Sequence, residues 1–111
     1  MSGRDKLTVS ILIANYQGHE AIELCIESIL KRTQFDSYKI MVMDSSPEDS
    51  PDKAYLRRQR DRGKIGLLES ERKLGHGTAL TQLLKHCDAE FACLLDSDCE
   101  ILMSDWLAVL V

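Results

Sequence analysis

The sequence predicts a doubly wound α/β domain, a mostly parallel sheet with helices on both of its faces. Three observations predict it. Short aliphatic runs of strand length recur at residues 7–14, 38–43 and 90–95, and continuous rather than alternating apolar runs suit strands covered on both faces. Between them lie segments whose apolar residues fall every three or four positions, the spacing of one helix face. Strand, helix and strand also follow one another within about forty residues, the length of a βαβ unit, whose crossover is almost always right-handed.

The elements follow in order. Residues 7–14, Leu-Thr-Val-Ser-Ile-Leu-Ile-Ala, are nearly all β-branched or aliphatic and make a first, central strand. Asn15, Tyr16, Gln17 and Gly18 interrupt it. Ile22, Cys25, Ile26, Ile29 and Leu30 then share one face of a helix over 19–33, with Lys31 and Arg32 in its last turn, where cations suit the helix dipole. A second strand over 38–43 ends on Asp44. Ser45, Ser46, Pro47, Glu48, Asp49, Ser50 and Pro51 are turn chemistry, and Ser50 is placed to cap a helix with Pro51 at its first position, running to Arg62 and stopped by Gly63. Its Lys53, Arg57, Arg58, Arg60 and Arg62 read as a solvated outer face, with phosphate or lipid contact as the alternative. Residues 65–68 form a short third strand. Gly75-His76-Gly77 opens a helix over 78–86 that turns Ala79, Leu80, Leu83, Leu84 and Cys87 inward, and a fourth strand covers 90–95. Ser104 is placed to cap a last helix. The apolar run from Trp106 to Val111 stops without a C-terminal signal, so the domain is expected to be truncated there.

Bulk composition narrows the function. A chain of 111 residues with 44% hydrophobic and 29% charged residues is that of a globular domain. A net charge of -4 gives no reason to expect a nucleic-acid partner. Cys25, Cys87, Cys93 and Cys99 show no Cys-x-x-Cys spacing, which favours free thiols in a reducing compartment over a zinc site. The polar N-terminus leads into too short an apolar run for a signal peptide or a membrane span. A cytoplasmic protein is expected, with membrane association left to sequence not present here.

Leu94-Leu95-Asp96-Ser97-Asp98 is the first site candidate. An apolar strand that ends on two carboxylates delivers them to the sheet edge where ligands of open α/β folds bind. Paired carboxylates repel unless a cation lies between them, and hard divalent ions take oxygen ligands, so Asp96 and Asp98 suggest a metal and phosphate site. The competing reading has one Asp capping the next helix and the other solvated. Asp44, ending the second strand, occupies the place of an acid that binds a nucleotide's sugar or base, or else simply shapes the turn. Gly75 and Gly77 would let backbone approach a phosphate, or form a tight turn. His19, His76 and His86 carry no functional assignment.

Five stretches in this order resemble glycosyltransferase family 2. They are Val9-Ser10-Ile11-Leu12-Ile13-Ala14-Asn15-Tyr16-Gln17, Ile26-Glu27-Ser28-Ile29-Leu30-Lys31-Arg32-Thr33, Ile40-Met41-Val42-Met43-Asp44-Ser45-Ser46, Gly75-His76-Gly77-Thr78-Ala79-Leu80 and Leu94-Leu95-Asp96-Ser97-Asp98. The resemblance spans roughly residues 8–107. It implies a GT-A fold, a Rossmann-like sheet that binds a nucleoside-diphosphate sugar and uses Mg or Mn. By position it implies that Ala14, Asn15, Tyr16, Asp44, Gly75 and Asp96 line the nucleotide-sugar site and that Asp98, with Asp96, holds the metal. Ala14, Asn15, Gln17, Ser45, Ser46 and Lys73 depart from the usual residues, which bears on the nucleotide taken. The acceptor, whether glycan, lipid or small molecule, and the catalytic base are expected beyond Val111, so that the chain by itself would bind donor and turn over nothing.

Three other readings compete. A phosphotransferase of haloacid dehalogenase type also ends a strand on Asp-x-Asp, but near its first strand and before Gly-Thr, whereas Cys99-Glu100 follows here. A nicotinamide-binding domain would need Gly-x-Gly-x-x-Gly after the first strand, and residues 15–18 hold one glycine. In a non-catalytic nucleotide-binding or interaction module, the acids would be only caps.

Overall fold

A computed structural model describes residues 8–33, 38–87, 89 and 91–96, with backbone alone at His76, Phe91 and Asp96. The elements are β1 (Val9–Asn15), α1 (Glu20–Arg32), β2 (Tyr38–Asp44), α2 (Pro51–Asp61), β3 (Gly66–Glu69), α3 (His76–Lys85) and β4 (Phe91–Asp96). All pairings are parallel and the strand order is β3-β2-β1-β4. The chain therefore winds outward from β1 to β3 and then returns past β1 to β4. That reversal creates a switch point outside the C-terminal ends of β1 and β4, where open α/β sheets bind their ligands.

Side chains alternate across the sheet, and the two periods of sequence meet accordingly. Val9, Ile11 and Ile13 of β1, with Ile40 and Val42 of β2, pack under Ile22, Cys25, Ile26 and Ile29 of α1 and Tyr55 and Leu56 of α2. Leu12 and Met43 point the other way, under Ala79 and Leu83 of α3. Helices thus cover both faces, as predicted. Ile11, Leu12 and Ile13 are each at 0% exposure, and at about 1.5–3 kcal/mol for each buried aliphatic side chain β1 is the spine of the domain.

The boundaries of α2 follow their sequence signals. Ser50 Oγ accepts from Asp52 N at 3.2 Å, Pro51 opens the helix, and Gly63, at φ 74°, takes the left-handed conformation that ends it. Elsewhere the structure departs from expectation. Helix α3 starts at His76, not at 78, because Gly75 serves as its cap residue and Ala79 N donates to Gly75 O at 2.9 Å. Leu84, expected inward, is 47% exposed, because α3 lies over β1 and β2 and buries a stripe centred on Ala79 and Leu83. β4, expected to be covered on both faces, packs Cys93 and Leu95 toward the α1 side but leaves Leu94 half-exposed, as an edge strand of the described sheet beside β1. The expected cap at Ser104 and last helix lie outside the described residues. No helix among the described residues is long and apolar enough to cross a membrane.

Candidate functional site

Parallel register brings three strand ends to one edge. Asn15 stands opposite Asp44, and Ala14 opposite Asp96. Ala14, Asn15, Asp44 and Asp96 thus share the C-terminal edge of the sheet, the gathering that the strand order requires. Asp98 lies outside the described residues.

Beside this edge, on the α3 face, is a cleft of about 280 Å³ walled by Ala14, Asn15, Tyr16, Ser45, Lys73, Leu74, Gly75 and Ala79. Lys73 Nζ lies 4.8 Å from the centre of the Tyr16 ring, a cation–π contact. Tyr16 is 39% exposed and lines the cleft. The N-terminus of α3 also opens here, with backbone N–H groups and a dipole that favour an anion. A Cβ at Gly75 or Gly77 would meet nothing within 4 Å, so the wall at this helix start is open rather than tightly packed. An aromatic face, an ammonium and a helix N-terminus in one cleft suit a flat ring carrying a negatively charged tail.

Asp44 does not belong to that wall, a correction to its expected role. It is at 0% exposure, and both carboxylate oxygens are engaged. Oδ1 accepts from Asn15 Nδ2 at 2.9 Å and from Ser46 Oγ at 2.8 Å, while Oδ2 accepts from Lys53 Nζ at 2.9 Å. The next residue, Ser45, takes the place in the cleft. Lys53 corrects the second expectation, since the supposed solvated face of α2 begins with a lysine only 4% exposed. The first turn of α2 abuts the ends of β1 and β2, so positions 52 and 53 point at the strand ends.

A buried polar network results. Asn15 Nδ2 also donates to Asp52 Oδ2 at 2.9 Å, so one amide separates two carboxylates and its orientation is dictated by them. Asn15 Oδ1 is then directed elsewhere, buried and without a hydrogen-bond partner among the described residues, and a Cβ at Gly18 would come within 2.4 Å of it. Glycine is thus needed at 18 for close approach. Asp52 further accepts from His19 N at 3.0 and 3.1 Å, and His19 Nδ1 lies 3.3 Å from Oδ1. Burial pushes the Asp52 carboxyl up, but hydrogen bonds from Asn15 and His19 outweigh it and hold the group below the ordinary value of 3.8. Sequence reasoning missed Ser46, Asp52 and Lys53. One signal was present: a lysine in the first turn of a helix opposes the dipole, so its presence there implies a partner.

Among the described residues no group of three His, Cys, Asp or Glu side chains could hold a metal. The donors implied by the resemblance are Asp96, whose backbone ends β4 beside Ala14, and Asp98.

Residues 10–111 match the model of Glycosyl transferase family 2. The chain belongs to glycosyltransferase family 2. That membership removes the haloacid dehalogenase and nicotinamide readings. Solved structures agree on the fold. A mannosyltransferase from Pyrobaculum calidifontis, in complex with GDP-Man and Mn2+, superposes with TM-score 0.79 at 21% identity, over 93% of this chain and 31% of its own. TarS from S. aureus (residues 1-349), in complex with UDP-GlcNAc, gives 0.72 at 24% identity, over 94% and 30%. GalNAc-T7 with UDP, GalNAc and Mn2+ gives 0.73 at 21% identity, over 89% and 19%. The family 2 chain thus has the GT-A fold and spans between about a fifth and a third of the length of these structures.

Proposed function

We propose that residues 1–111 are the nucleotide-sugar-binding part of a glycosyltransferase that moves a hexose from a nucleoside-diphosphate sugar to the hydroxyl of a glycan, lipid or small-molecule acceptor. The observation that carries this reading is the cleft between the C-terminal edge of the sheet and the start of α3, in a chain whose family transfers sugars. In it the Tyr16 ring stacks the base, the Ser45 hydroxyl and Lys73 ammonium meet its polar edge, and the N-terminus of α3 at Gly75 faces the diphosphate. The donor complexes of the mannosyltransferase and of TarS support the ligand class. The reading includes Mg or Mn held by Asp98 with Asp96, supported by oxygen donors at the end of β4 and by the Mn2+ in two of the compared structures. When bound, such an ion offsets the charge that grows on the departing diphosphate. Inversion at the sugar carbon requires a base to deprotonate the acceptor, and the reading assigns that base and the acceptor half to sequence outside these residues. It also places the protein in the cytoplasm or at the cytoplasmic face of a membrane.

Calorimetric titration with uridine, guanosine, thymidine and cytidine diphosphates in the presence of Mn2+ tests the reading. At least one is expected to bind, and Tyr16→Ala should weaken it by about tenfold or more, the scale of a lost base–aromatic stack. Asp98→Ala should remove the dependence on Mn2+. A chain that binds none of the four, with or without metal, is an interaction module and not a donor site.

A further inference from the structure

The turn over residues 15–19 leaves β1, carries Tyr16 into the cleft and enters α1. It is not a relaxed turn. Gln17 has φ 50° and His19 has φ 52° with ψ -127°, conformations that residues with a Cβ adopt only when their surroundings impose them.

Two side chains from beyond β2 impose them. Ser46 Oγ accepts from Gln17 N at 2.7 Å, and Asp52 accepts from His19 N with both carboxylate oxygens while taking a third hydrogen bond from Asn15 Nδ2. Asp52 therefore grips the turn on either side of Tyr16, at the residue before it and three residues after it. Capping α2 does not account for this carboxylate, because Ser50 already serves as the cap and Asp52 contributes only its backbone N–H there. The group is 2% exposed and is absent from the cleft wall, so it has no direct path to a ligand.

We propose that Asp52 is a positioning residue, which holds the strained turn in the geometry that presents Tyr16 to the nucleotide. The inference rests on the donor-site reading above. It assigns to the first turn of α2 a control over affinity exerted entirely through the β1–α1 turn. The chemistry fits, since an ionised carboxylate with several acceptor sites can hold two separate donors at once, whereas an amide oxygen offers less capacity and no charge.

The test uses whichever of the four diphosphates the unaltered chain binds, with Mn2+. Asp52→Asn is expected to weaken binding by about tenfold, on the scale of hydrogen bonds to a charged group, and to speed amide hydrogen exchange at Gln17 and His19 but not at Ile11 or Val42. Asp52→Ala should weaken it further. If that variant fails to fold, Asp52→Asn carries the test. Tyr55→Phe removes the hydrogen bond from the Tyr55 hydroxyl to Glu27 Oε2 between α2 and α1, away from the cleft. It should lower the melting temperature yet leave affinity unchanged. Affinity that follows melting temperature across all three variants, or an Asp52→Asn protein that binds like the parent, overturns the inference while leaving the donor site standing. Failure of the unaltered chain to bind any diphosphate overturns the donor-site reading and this inference with it.

Discussion

Lys53 and Arg57 lie one helical turn apart on α2, and each meets carboxylates at ion-pair distance, yet they belong to different physical regimes. Lys53 Nζ is 2.9 Å from Asp44 Oδ2, with 5% and 1% of the two side chains exposed. Arg57 bonds Glu48 and Glu69, each at 2.6 Å, but its side chain is 35% exposed and that of Glu48 is 75% exposed. Water competes for the outer group and salt screens it, whereas the inner ions have left water and depend on one another. A run of cations on one helix is therefore not one feature. Its first member is part of the fold at the sheet edge, and its later members dress the surface.

The sharpest way to break this comparison is to remove the inner cation. Lys53→Ala leaves Asp44 buried without its counter-charge, and by analogy with other broken buried pairs it should cost about 3–5 kcal/mol in urea unfolding. Lys53→Met keeps most of the stem and removes the charge, so it should lose nearly as much. A methionine variant that regains most of the parent stability would show that packing of the stem matters, not the pair with Asp44.

What the sequence made legible divides along the same line. The order of elements was readable because burial on both faces makes β1 a continuous apolar run while α1 keeps a three-to-four-residue period, and Ser50, Pro51 and Gly63 mark α2 by their own backbone chemistry. The gathering of Ala14, Asn15 and Asp44 with Asp96 at one edge followed from the strand succession. The direction of the Asp44 side chain was not legible, because an acid ending a strand looks the same whether it faces a ligand or a buried lysine nine residues on. Ser45, which does wall the cleft, gave no signal beyond being a small polar turn residue. Leu84 was misjudged because helical spacing reports a face but not how widely a neighbour covers it.

Acid should separate the inner and outer sets next. The Asp52 carboxyl sits below its ordinary value in the folded chain despite its burial. The unfolded chain then binds protons that the folded one refuses, so this stabilisation is present above about pH 4 and is lost as pH falls through the folded value. Unfolding midpoints measured from about pH 6 down to pH 3 should show the loss. Asp52→Asn should lose much of that acid sensitivity. Glu48 is also held low, by its hydrogen bond and charge contact with Arg57, but it is exposed, and Glu48→Gln should change the profile far less. Equal flattening by both substitutions would erase the distinction between the regions.

The smallest effect belongs to Arg57 itself. Its guanidinium bridges Glu48 and Glu69, with Nε 2.9 Å from Glu69 Oε2, and so ties α2 to the end of β3. The geometry is as good as that of the inner pair and the contacts are shorter. Distance alone would therefore rank Arg57→Ala above Lys53→Ala, and solvent exposure ranks it well below. In salt of about 1 M, where the screening length is about 3 Å, the difference between Arg57→Ala and the parent should vanish while that of Lys53→Ala persists. An arginine effect that survives such salt would mean that the outer cluster is shielded from solvent in the working protein, and that burial has been drawn too narrowly around the strand ends.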